Sequence, residues 1–79
     1  MKLKLVQDKK RGLDGNFYNI YIDNTYVGYT LKLKNKWNIF PRYKKLPVFI
    51  QTSFKTRTSA IDYLIELLKS KGEFYFEQN

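Results

Sequence analysis

The hydrophobic period of this 79-residue chain changes from two to about 3.6 at roughly residue 57. Beyond that point Ala60, Ile61, Leu64, Ile65, Leu67 and Leu68 form one apolar helical face. Before it, every periodic stretch alternates as a half-buried strand does. A lone amphipathic helix has to bury its face on something, and only strands are available. The expected fold is α+β: a small antiparallel sheet of roughly three to five strands packed against one C-terminal helix. One domain is expected to span residues 1–79, since a chain this short buries only about 60 % of its unfolded surface.

Strands are expected at residues 2–7, 17–23, 26–34 and 37–40, with a fifth at 48–52. In the second, Tyr18, Ile20 and Ile22 share a face. In the third, strict alternation sets Val27, Tyr29, Leu31 and Leu33 on one face and Gly28, Thr30, Lys32 and Lys34 on the other. Asp14-Gly15, Asp23-Asn24-Thr25 and Asn35-Lys36 supply turns, and Pro41 closes the fourth strand because proline donates nothing to a ladder. Thr56 or Thr58 caps the helix, Ser59 and Asp62 have capping-box spacing, and Gly72 stops it. The alternating tail around Phe74-Tyr75-Phe76 would add a last strand or pair across a homodimer.

The chain has no cysteine and no histidine. That removes disulfides, thiol and imidazole nucleophiles, and soft-ligand metal sites. Asp62 and Glu66 share a helix face at i, i+4, which reads as a solvated face rather than a carboxylate pair at work. No phosphate-cradling glycine motif or nucleophile-elbow serine occurs. The expectation is no enzyme, no catalytic residue, no metal and no cofactor. The N-terminus lacks the apolar stretch of a signal peptide, and no apolar run approaches the roughly 20 residues of a membrane span. A cytoplasmic protein without membrane contact is expected.

The charge is regional. The net +8 equals the contribution of residues 32–57 alone, where Lys32, Lys34, Lys36, Arg42, Lys44, Lys45, Lys55 and Arg57 meet no acid. Residues 58–79 are net acidic. Alternation would set Lys32 and Lys34 on one sheet face, with Lys2 and Lys4 doing the same on the first strand. If that face looks away from the helix, it becomes a basic surface. Trp37, Phe40, Tyr43, Phe49 and Phe54 are interleaved with it, and cations among aromatics are the footprint of nucleic-acid binding. Tyr43, in the basic loop between Pro41 and Pro47, is the expected stacking ring, and Trp37 is expected in the core.

Phe54-Lys-Thr56-Arg-Thr-Ser-Ala60 resembles the Phe-x-Thr-x-x-x-Ala junction of AP2-type and phage integrase arm-type DNA-binding domains. The resemblance implies a three-stranded sheet leading into one helix, with the helix-free sheet face in the DNA major groove. DNA therefore stands ahead of RNA as the expected partner. Lys-rich, Arg-poor contacts imply phosphate binding with weak sequence preference. The binding residues expected are Lys2, Lys4, Lys32, Lys34, Lys36, Arg42, Tyr43, Lys44, Lys45, Lys55 and Arg57. The alternative is a small phage-encoded or accessory protein that inhibits an acidic host protein through the same charge.

Overall fold

A computed structural model describes residues 2–11, 15–44 and 46–73. Five antiparallel strands lie in chain order, β1 (Leu3–Gln7), β2 (Phe17–Ile22), β3 (Thr25–Leu33), β4 (Lys36–Pro41) and β5 (Ser53–Phe54). The helix α1 (Arg57–Ser70) packs across β3, β4 and β5. This is the α+β sheet-and-helix layer pair expected from the switch of period.

Both tight hairpins use two-residue turns. Asp23-Asn24 joins β2 to β3, and Lys34-Asn35 joins β3 to β4. All four residues have positive φ, between 50° and 67°, the type I′ geometry that matches the twist of paired strands. The second turn lies one residue earlier than expected. Asn35 accepts the left-handed conformation readily, and the two-residue loop then forces Lys34 into it as well.

The core gathers Ile20 and Ile22 of β2, Val27 of β3, Ile39 of β4, and Ala60, Ile61, Leu64 and Leu68 of the helix, closed by Ile50. Thr30 is also fully buried, and its hydroxyl donates to the Asn38 carbonyl at 2.7 Å. Each fully buried aliphatic side chain contributes about 1.5–3 kcal/mol. Thr56 caps the helix, its hydroxyl oxygen accepting from the Ser59 amide at 3.1 Å while donating to the Ser59 hydroxyl. Ser59 thus completes the cap from inside the first turn. Gly72, at φ 65°, follows the last turn as expected.

Strict alternation along β3 fails at one point. Ile20 faces Gly28 but Tyr21 faces Tyr26, so Val27 is an extra residue, a β-bulge. Val27 enters the core, and past the bulge Thr30 and Lys32 face the helix side while Tyr29, Leu31 and Leu33 face away. Gly28 makes the bulge feasible: its φ is 148°, and a Cβ there would sit 2.5 Å from the Phe40 carbonyl oxygen. The expected fifth strand at 48–52 is also displaced. Ile50 of that stretch fills the core, and pairing to β4 is made by Ser53 and Phe54 instead. The expected tail strand lies outside the described residues.

Gly28→Ala should lose at least about 2 kcal/mol of stability, because the new methyl meets backbone and not a movable side chain. Urea denaturation of the two proteins measures it; an unchanged midpoint would mean the bulge does not organise the sheet.

Candidate nucleic-acid interface

The bulge decides where the expected binding residues point. Lys32 lies opposite Trp37 on the helix side, whereas Lys4 lies opposite Tyr21 on the helix-free side. Lys34 occupies the turn, and Lys36, opposite Leu33, belongs to the helix-free side. A common lysine face is therefore not formed. The helix-free face is instead aromatic.

Phe17, Tyr29 and Phe40 stand in a row across β2, β3 and β4, with centroids 4.7 and 4.8 Å apart and planes within 15° and 19°. Parallel rings this close overlap face to face at the spacing of the strands themselves. Their faces are covered by one another and their edges point outward. Arg11 lies 5.7 Å from the Phe17 centroid at one end, and Phe49 meets Phe40 at the other. The row braces the sheet and leaves no ring face within it open for a base.

The cations converge elsewhere, at one end of the sheet. β1 and β3 both finish at that end, and β2 and β4 both start there. Lys9, Lys10 and Arg11 follow β1, while Lys32, Lys34 and Lys36 surround the β3–β4 turn. Lys55 and Arg57 belong to the junction of β5 with the helix, next to Trp37 through its pairing with Phe54. Five strands at about 4.8 Å spacing make this basic rim about 19 Å long. Among the described residues, the rim holds one carboxylate, Asp8. It accepts the Lys10 and Arg11 amides at 3.0 and 3.2 Å and pairs with the Arg11 guanidinium at 3.7 Å. The first turn of the helix contains no acid.

The rim also has an aromatic floor on the helix side. Tyr18 and Trp37, both half-buried, contact with centroids 6.2 Å apart, and the Arg57 guanidinium lies 4.2 Å from the Tyr18 ring centroid. Trp37 packs against the core as expected, and so does Tyr43. The Lys44 ammonium lies 5.7 Å from the Tyr43 ring, so the ring expected to stack on bases is a flank of the core.

The remaining expected residues are dispersed. Arg42, Tyr43 and Lys44 follow the far end of β4. Arg42 donates to the Pro41 and Val48 carbonyls at 2.8 and 2.7 Å and to the Tyr29 hydroxyl at 3.3 Å, fastening the following loop to the sheet. Lys2 lies at the same far end, where its amide donates to the Asp23 carboxylate at 2.7 Å, and Lys4 lies on edge strand β1. Lys45 lies outside the described residues. Conversely, Lys9, Lys10 and Arg11 were not among the expected binding residues. Their position in the first turn after a short strand was the signal that they would reach the same end as the β3–β4 turn.

A hollow of about 310 Å³ beside the rim is lined by Asp8, Arg11, Asn19, Tyr21 and Tyr26. Burial, reinforced by the neighbouring Tyr29 hydroxyl, raises the Tyr26 pKa above its ordinary value. Among the described residues, no group of three or more acidic side chains gathers as a metal site requires, and no helix is long and apolar enough to cross a membrane. Comparison with protein-family models, curated proteins and solved structures finds no match to this chain.

Two outcomes follow from these contacts. Arg42→Ala should lower stability by about 1–2 kcal/mol through its lost carbonyl bonds, read as a shift in the urea midpoint. Tyr26 holds its proton more tightly folded than unfolded, so its contribution is complete below about pH 10 and is lost as pH rises through its raised pKa. Thermal melts from about pH 9 upward should therefore fall less steeply for Tyr26→Phe than for the parent protein.

Proposed function

We propose that this protein binds nucleic acid through the basic rim, chiefly by phosphate contacts and with weak sequence preference. The observation that carries the reading is the gathering of Lys9, Lys10, Arg11, Lys32, Lys34, Lys36, Lys55 and Arg57 at one end, where Asp8 is the one carboxylate among the described residues. A cationic ridge about 19 Å long spans roughly five to six base-pair rises at 3.4 Å each. Lysines dominate it, and they act on phosphates as point charges more than as readers of base edges.

The backbone at Lys34 supports the reading. A lysine at φ 50° is strained where glycine or asparagine would be relaxed, and it keeps a cation at the tip of the turn. In this mode the contact surface is the end of the sheet. The DNA-binding domains resembled at Phe54, Thr56 and Ala60 present the helix-free face instead, which here is filled by the Phe17–Tyr29–Phe40 row. Thr56 and Ser59 form the helix cap, and Phe54 pairs with Trp37, so those motif residues have local structural roles. DNA stays ahead of RNA on that resemblance alone.

If about five to seven of these cations meet duplex phosphates, log K should fall with log salt at a slope near −5 to −6. Titration of duplex DNA, single-stranded DNA and RNA across salt concentrations, followed by Trp37 fluorescence, measures it. A slope near zero, or no binding to any of the three at low salt, would reject the reading and leave the inhibitor of an acidic host protein as the better one. Lys34→Gly should raise the melting temperature by relaxing the turn and shrink the slope by about 0.9.

A further inference from the structure

The chain contains three arginines, all within the described residues, and their guanidinium groups are not equivalent. Arg42 is occupied by two backbone carbonyls and the Tyr29 hydroxyl. Arg11 pairs with Asp8 and lies over Phe17. Arg57 is half-buried and rests on the Tyr18 ring at 4.2 Å, with no carboxylate or carbonyl partner among the described residues. Ring stacking uses the face of a guanidinium and leaves its in-plane N–H donors available. A half-buried cation is ordinarily satisfied by an acceptor, and here the described residues supply none.

The surroundings select the sign and shape of the missing acceptor. Lys32 is two residues along β3 from Thr30, the partner of Tyr18, at the next position on the same face, and it sits directly opposite Trp37. Lys55 is two residues away in sequence, and the first helical turn has no acid. The Tyr18 ring, 4.2 Å away, holds the guanidinium in place, and a held planar fork suits a two-oxygen acceptor better than a mobile ammonium does.

We infer that Arg57, held over the Tyr18 ring and flanked by Lys32, is the anchoring phosphate site of the rim, taking a phosphodiester group of a nucleic-acid strand bidentately. The inference rests on the proposed nucleic-acid reading and makes it specific: one rigid two-pronged contact among many mobile point charges. Tyr18 is a positioning residue in this arrangement.

The experiment compares Arg57→Lys, Tyr18→Leu and Lys34→Ala with the parent protein, titrating whichever of duplex DNA, single-stranded DNA or RNA the parent protein binds. Arg57→Lys keeps the charge, so the salt slope should stay unchanged while affinity falls about tenfold or more. Tyr18→Leu should weaken binding several-fold, again with the slope intact. Lys34→Ala should do the reverse, reducing the slope by about 0.9 on duplex with a smaller affinity loss at low salt. Equal binding by Arg57→Lys and the parent would overturn the anchor while leaving the rim reading intact. Absence of binding by the parent at low salt would overturn both.

A second measurement needs no variant. In ¹⁵N–¹H spectra of the parent protein, the Arg57 Nε–Hε resonance should shift on saturation with the same nucleic acid, while that of Arg42, at the far end of the sheet, holds. Shifts confined to Arg11 or Arg42 would reject the assignment. Displacement of the nucleic acid by poly-glutamate at equal charge concentration would also reject it, in favour of a carboxylate-bearing protein partner.

Discussion

One extra residue in β3 decides which way most of this sheet faces. Val27 has no partner in β2, and it turns into the core beside Ile20 and Ile22. Every residue after it is then displaced by one step of alternation relative to the residues before it. Thr30 becomes fully buried, Lys32 reaches the helix side, and Tyr29 joins the Phe17–Phe40 row on the other face. Gly28 is indispensable to this arrangement, since the Phe40 carbonyl occupies the space a side chain would need. The core, the aromatic row and the position of Lys32 share a single cause.

The bulge also explains how so small a sheet has two apolar faces. The helix covers one of them, over β3, β4 and β5. On the other face the rings cover themselves: Phe17 is only 5 % exposed, with Tyr29 stacked on its ring and the Arg11 side chain over it. Cross-strand ring pairs add about 0.5–1.5 kcal/mol beyond their burial. They stabilise a sheet whose second layer is a single 14-residue helix. Leu33 at 49 % and Phe49 at 52 % remain exposed at the margins of the row, and Val6 of β1 is exposed as well.

The elements were legible in the sequence because each carries a local signal. The leucine and isoleucine spacing of the helix, its threonine cap and its terminal glycine depend on near neighbours only. The first hairpin turn likewise announces itself through Asp23-Asn24, two residues that tolerate positive φ. Facing was legible for Tyr18, Ile20 and Ile22 of β2 but not for β3. A bulge leaves no mark in the alternation except a glycine, and Gly28 reads equally well as an ordinary strand residue. The fifth strand was misplaced for a related reason. Val48 to Ile50 has the composition of a strand, but the space beside β4 is taken by Ser53 and Phe54, and Ile50 contributes as a core plug. For the candidate interface, residue types were legible and grouping was not. The acid-free segment contains both rim cations and Arg42, and only the antiparallel path of β4 separates them.

That separation bears on what the net charge does. Three chain segments far apart in sequence deliver their cations to one end because meander topology returns alternate strand ends to the same side. Mutual repulsion among such groups disfavours the compact state, more so at low salt. The repulsion is tolerated here at exposed positions, where lysine side chains can spread into solvent. Lys32 and Arg57 are half-buried, and Arg57 is in addition held over Tyr18. A mobile lysine adapts to whatever backbone geometry approaches it and therefore discriminates little. A fixed guanidinium imposes a position and an orientation on the group it holds. On the proposed reading, charge would set the strength of binding at the rim and its dependence on salt, while the Tyr18–Arg57 contact would set the register in which a strand lies along it.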